Sequence, residues 1–181
     1  VDNKGNYTHQ IQVQKNNLID RMDFTFHSWK QEHKEYIIPD NVEGIEVFRG
    51  SYSHKELKQL HNDYFHSIHF KGQNKHSFLF HSYELDKNKI IATKGDILMC
   101  RVGKRCVGKI SIVEEGNILL SDCVYRIRVH KQYQKIVWEI LNSEEGQEWI
   151  KVASHGVCSK VISKCDLVEY IKYIIKKYRN E

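Results

Sequence analysis

The chain has 181 residues and a mass of 21.5 kDa, enough for one large domain or for one domain with a short appendage. With 40% hydrophobic and 28% charged residues and a single proline, Pro39, its composition excludes a disordered or low-complexity chain, and no apolar run approaches the ~20 residues that span a bilayer. A net charge of +5 and a pI near 8.8 permit contact with phosphates without requiring it.

Residues 1–17 are polar and rich in Asn and Gln, and are expected to form a loosely ordered lead-in. LIDRMDFTF (18–26) reads as a short strand or turn, after which Ser28 is placed to cap a helix carrying Trp29, His33 and Ile37, stopped by Pro39 and Asp40. GIEVFRG (44–50) predicts a strand between two glycines. SHKELKQLHNDYF (53–65) predicts a helix capped by Ser53, with Leu57, Leu60 and Tyr64 at helical spacing. FHSIHF (65–70) and SFLFHSYEL (77–85) read as strands flanking a polar loop, and KIIA (89–92) as another. The segments 95–103, 106–116, 117–120 and 122–129 are β-rich runs separated by turn signals, the material of an antiparallel meander. Two helices broken near Gly146 follow, then a short strand at 156–163. From residue 165 an amphipathic helix is predicted, with Leu167, Tyr170, Ile171, Ile174, Ile175 and Tyr178 on one stripe. Helices and strands alternate without βαβ regularity, so the fold expected is α+β: a twisted, mainly antiparallel sheet with helices around it.

Motifs for bond chemistry are scarce. There is no GxGxxG after a strand, no phosphate loop, no GxSxG elbow and no HExxH. Asp40 after Pro39 is a nuclease-like beginning, but the strand that follows reads Glu46, Val47, Phe48, Arg49 and lacks the acidic-x-Lys such a metal site needs. His54, His61, His66, His69, His76 and His81 crowd one third of the chain, yet no Cys lies among them to complete a structural zinc set, so no metal is expected. The five cysteines form no CxxC pair and are expected as buried free thiols of a cytoplasmic protein.

The basic residues form a stronger constellation. Arg101, Lys104, Arg105 and Lys109 surround the turn of MCRVGKRCVGK, where glycines let the backbone approach a phosphate. Arg126 and Arg128 share one face of a strand by its period of two. Lys71, Gln73, Asn74 and Lys75 occupy one loop, and Lys160 lies near Gly156 in another. Amides and guanidinium forks can read adenine and guanine edges. A solvated hairpin turn would carry the same residues, so residue types alone leave both possibilities open.

The block TKGDILMCRVGKRCVGKISIVEEGNILLSDCVYRIRV resembles the target-recognition domains of bacterial restriction–modification systems, found in type I specificity subunits and at the C-terminal end of adenine-specific methyltransferases. The matching positions are Gly95, Asp96, Arg101, Gly103, Gly108 and Lys109. Upstream, Arg21, Asp23 and Phe26 resemble the family's opening segment. Downstream, Gly156, Ile162, Ser163, Asp166 and Leu167 resemble its closing one. The chain departs from the family by continuing YIKYIIKKYRNE without a proline.

The resemblance implies a target-recognition domain over 18–164 followed by a C-terminal helix over 165–181. It implies a non-catalytic DNA-binding specificity module that directs a methyltransferase subunit or domain, in some systems with an endonuclease, to a short duplex target. A methyltransferase's own Asn/Asp-Pro-Pro-aromatic motif cannot occur in a chain with one proline, so no cofactor is expected. The absence of an initiator Met raises the expectation of a piece of a longer protein. A homodimer through the C-terminal helix is a further expectation, and membrane is not expected as a partner. The alternatives are an RNA-binding module, with stacking aromatics in FLFHSY (78–83), or a protein-interaction domain with merely solvated basic loops.

Overall fold

The computed structural model describes residues 10–15, 22–33, 42–60, 63–70, 77–79, 89–156 and 158–179. The chain divides into two compact units, Val1–Ile37 and Ile38–Glu181. The first unit holds α1 (Phe24–Glu32), which begins a turn earlier than expected. Asp23 is its cap, accepting the Phe26 N–H through Oδ1 at 3.2 Å, while Ser28 lies inside the helix. Asp caps as well as Ser does and comes first in the chain, so 24–26 is helix and the expected strand or turn is overturned there.

The second unit is α+β, as expected, but its strands divide between two sheets. One has five strands in the order β1 (Glu46–Arg49), β8 (Val124–Arg128), β5 (Ile97–Cys100), β6 (Ile110–Glu115), β3 (Ser77–Leu79). The other has three, in the order β2 (Tyr64–Phe65), β7 (Asn117–Leu120), β4 (Ile91–Thr93). Pairing is antiparallel except for β2 with β7 and β3 with β6. Strand alternation sends Leu98, Cys100, Val113 and Val124 to one face, where they share a core with Phe65, Ala92, Ile118 and Leu120 of the smaller sheet. Ile97, Met99, Tyr125 and Ile127 alternate to the other face and are buried too, on the side where α3 (Lys131–Asn142) packs on β6 and α5 (Lys164–Arg179) packs on β1.

Several local expectations are corrected. α2 (His54–Gln59) has the Ser53 cap, closed reciprocally with Glu56, but stops well before Tyr64. The expected strand at 65–70 is strand only to Phe65, because the His66 N–H donates to His69 Nδ1 at 2.9 Å and winds Ser67–Phe70 into a 3-10 turn. The break between α3 and α4 (Glu144–Ala153) falls at Ser143, whose Oγ accepts the Gly146 N–H. Gly146 is inside α4 for close approach, since a Cβ there would lie 2.0 Å from the Ile140 carbonyl oxygen. The expected strand at 156–163 is a loop held by isolated bridges of Val161 to Val102 and to His155.

The apolar stripe of α5 is buried within this unit: Leu167, Tyr170, Ile171 and Ile174 are fully enclosed, and the Tyr170 ring stacks on Trp149 of α4 at 4.1 Å. That stripe already has its partner surface in the same chain, so a homodimer through this helix would have to use its other faces. No helix among the described residues is long and apolar enough to cross a membrane.

Candidate nucleic-acid interface

β5 and β6 run antiparallel, so residues 101–109 form the loop between them at one end of the larger sheet. The loop is tightly wound. The Gly108 N–H donates to the Cys100 carbonyl (2.8 Å), the Cys100 N–H to the Lys109 carbonyl (2.9 Å) and the Val107 N–H to the Gly103 carbonyl (3.2 Å). Gly108 takes φ +76° and presses on α4, where an added Cβ would meet Ile150 Cγ2 at 2.1 Å. Glycine is needed both for the turn and for that contact.

A second segment, 154–163, is stitched to this loop. The Gly103 N–H donates to the Lys160 carbonyl and the Ile162 N–H to the Arg101 carbonyl, both at 3.0 Å. His155 and Val161 exchange N–H···O bonds of 3.0 and 2.8 Å, and the Tyr125 hydroxyl donates to the Ile162 carbonyl at 3.1 Å. Lys104 and Arg105 on one loop and Lys160 on the other are therefore brought to neighbouring, exposed positions. Neither 101–113 nor 149–165 contains an Asp or Glu, and among the described residues no carboxylate pairs with these three cations.

The other expected contacts are placed differently. Arg101 is half-buried: its Nη1 donates to the Asp122 carbonyl at 3.0 Å, and its guanidinium lies 5.6 Å from the Tyr125 ring centre. Lys109 donates through Nζ to the Phe70 carbonyl at 3.0 Å, tying the loop to the 3-10 turn. Arg126 and Arg128 are engaged in ion pairs. Arg126 donates to Glu46 Oε2 (2.8 Å) and to the Ile91 carbonyl (3.1 Å). Burial lowers its pKa from the usual arginine value, with Arg128 acting in the same direction, while Asp96 and Glu46 oppose the fall. Arg128 grips Asp96 with both arms, Nε to Oδ1 and Nη2 to Oδ2 at 2.7 Å each, and these bonds raise its pKa. Lys71, Gln73, Asn74 and Lys75 lie outside the described residues, as do Arg21 and the 80–83 part of FLFHSY.

Asp96 is 1% exposed and also accepts from the Thr93 N–H and hydroxyl. The Gly95–Asp96 pair thus has a structural use: Gly95 at φ +88° turns the chain under the Gln134 side chain, and Asp96 locks the turn to β8.

At the same end of the sheets His54, His66 and His69 gather, while His61, His76 and His81 lie outside the described residues. The His54 and His66 rings stack at 4.0 Å with 9° between planes, and His66 Nδ1 lies 2.8 Å from Ser121 Oγ. Burial, followed by the neighbouring imidazoles of His54 and His69, pushes the His66 pKa down to about 4. Burial lowers that of His69 as well. Among the described residues no group of three His, Cys, Asp or Glu is arranged to hold a metal ion.

The cysteines are free but not uniformly buried. Cys100 and Cys106 are enclosed, Cys123 is half-buried, and Cys158 and Cys165 are exposed, against the expectation of buried thiols throughout. Burial raises the Cys123 pKa to about 11 and that of Cys100 further, so neither is a reactive thiolate.

Sequence reading missed Lys164 and Phe48. The Lys164 ammonium lies 4.8 Å from the centre of the Phe48 ring, which is 40% exposed on the edge strand β1. A lone Phe in a four-residue strand and a Lys opening a helix carry no joint signal in sequence.

No family model and no curated protein matches the chain. Among solved structures it is similar to the type I restriction–modification system S subunit from M. genitalium, with 16% identity and a TM-score of 0.42 over 74% of this chain and 34% of that one. It is also similar to a chain in a structure titled for complex assembly and conformational transition of the type I R-M system, with 13% identity and a TM-score of 0.25 over 86% of this chain and 44% of that one. The chain spans less than half the length of either neighbour.

Proposed function

We propose that this chain is a non-catalytic, cytoplasmic module that binds a short duplex DNA target and presents it to a methyltransferase subunit or domain. The observation that carries the reading is the pair of stitched loops bearing Lys104, Arg105 and Lys160 with no acidic residue in either. Backbone bonds fix the loops, so their cations are presented without a backbone ordering cost at each encounter. A surface of one sign on a rigid base attracts a polyanion and releases its counterions. The blocks resembling target-recognition domains support the same reading and supply its biological setting.

Within this proposal Lys104, Arg105 and Lys160 meet phosphates or base edges directly. Lys109 and Arg101 line the same loop and buttress it. Arg126 and Arg128 hold the sheet together, their forks being occupied by Glu46 and Asp96. Lys71, Gln73, Asn74 and Lys75 remain proposed base readers, because their amides and ammonium groups suit adenine and guanine edges.

Fluorescence anisotropy on mixed-sequence duplexes across a salt series tests the reading. Wild-type protein is expected to lose affinity steeply as salt rises. Replacing Lys104 and Arg105 by Gln is expected to reduce the log–log slope by ~1 for each lost phosphate contact. Absence of duplex binding at low salt would falsify the DNA reading. Methyl transfer to DNA by the chain alone would overturn the non-catalytic one.

A further inference from the structure

The segment that leaves the stitched loops does not end its positive character at Lys160. Residues 160–164 run from the hairpin loop to the edge of the larger sheet as a strap. Ile162 in its middle is pinned twice, through its N–H to the Arg101 carbonyl and through its carbonyl to the Tyr125 hydroxyl. At the far end Lys164 opens α5 and lies over the Phe48 ring, an ammonium-to-ring contact that fixes the position of an otherwise long and mobile side chain. The nearest charges below Phe48 cancel, since Arg126, 5.4 Å from the same ring, is paired with Glu46. Asp166, one half-turn into α5, is the first carboxylate past the strap.

We infer that Lys164, held by Phe48, is a second phosphodiester anchor for the same nucleic-acid strand that meets the hairpin loop. The inference rests on the DNA reading above and adds a position and a spacing to it. Four residues of extended chain reach at most ~14 Å at ~3.3–3.6 Å each. A single DNA strand advances ~3.4 Å along the helix axis per phosphate while also winding around it, so the two ends of the strap address phosphates about two nucleotides apart. Phe48 offers an apolar edge for a deoxyribose beside the anchored phosphate. The pinned Ile162 keeps the two anchors at constant separation, so the strap measures a length of backbone instead of adding diffuse charge.

The test is anisotropy on duplexes trimmed one base pair at a time from each end, at two salt concentrations, with wild-type protein and the variants Lys164→Gln, Phe48→Leu and Lys160→Gln. Thermal unfolding of each variant verifies that the fold is retained. Wild type is expected to lose affinity in two separate steps as one end is shortened. Lys164→Gln is expected to abolish only the outer step and lower the salt slope by ~1, while affinity for the shortest duplex that still binds is unchanged. Phe48→Leu, which keeps the charge but frees the lysine, is expected to blunt the outer step while leaving the salt slope nearly intact. Lys160→Gln is expected to weaken binding at every length. An outer step and salt slope identical to wild type in Lys164→Gln would overturn the anchor and leave the DNA reading standing. Failure of wild type to bind any duplex would remove both.

Discussion

At the residue scale the decisive contrast is between arginines held by carboxylates and loop cations that pair with none among the described residues. Arg126 and Arg128 share the face and period that a groove-reading strand would have, and both are spent on carboxylates of the same chain. A buried carboxylate such as Asp96 is tolerated only with its bonds satisfied, and it accepts four. Asp96→Asn keeps the shape and removes the charge, leaving Arg128 without its counterion. The expected cost is about 2–4 kcal/mol, scaled down from a wholly buried pair because Arg128 is 38% exposed. Urea unfolding measures it, and a cost within 0.5 kcal/mol of zero, roughly the range of surface substitutions, would show that the pair contributes no stability. DNA affinity per folded molecule is expected to be unchanged, which separates this acid from the loop cations.

At the element scale the imidazole cluster joins α2, the 64–70 segment and the turn between β7 and β8. His66 is 7% exposed and its pKa in the fold lies near 4, against 6.5 when unfolded. Above pH 6.5 both states hold the neutral ring and its contribution is complete. Between pH 6.5 and 4 the unfolded chain takes up a proton that the folded chain refuses, so stability falls as pH falls, and below about 4 the loss is complete. The urea midpoint is expected to decline across that window, and less steeply in His66→Asn; an unaltered slope in the variant would place the effect elsewhere. This cluster was legible only as a crowding of histidines, because its stacking depends on β2 pairing with β7 across more than fifty residues. Local features were read well from sequence: the Ser53 cap, the 117–120 strand and the hairpin carrying Arg101 to Lys109. Ends decided by competition were not. Asp23 against Ser28, and Ser143 against Gly146, are choices between two acceptable signals that tertiary contacts settle. The charge balance of the candidate site was half legible, since the run of Lys and Arg at 101–109 is plain in sequence but its union with 154–163 is not.

At the scale of the whole molecule, α3 and α5 pack on the larger sheet of the second unit and the smaller sheet shares that sheet's core, so neither layer of this unit is an appendage. Leu167, Tyr170, Ile171 and Ile174 are completely buried, and four side chains of this kind contribute about 6–12 kcal/mol together. That is comparable to the whole stability of a domain. A chain ending at Ser163 is therefore expected to lose cooperative unfolding by circular dichroism; retention of a sharp transition would return α5 to the status of a free docking helix.

The stitch between the two basic loops also imposes an order in time. Arg101 and Ile162 are about sixty residues apart, and their bonds close a loop that contains β6, β7, β8, α3 and α4. Contacts this distant in sequence form late, after the local hairpins and helices. The stitch therefore closes after local packing such as that of Trp149 on Tyr170, and on the function proposed above a nascent chain has no complete DNA-binding surface until Ile162 has been made. In stopped-flow refolding, recovery of duplex binding is expected to trail the burial of Trp149. Binding that returns before Trp149 is enclosed would mean that the hairpin loop recognises DNA without its stitched neighbour.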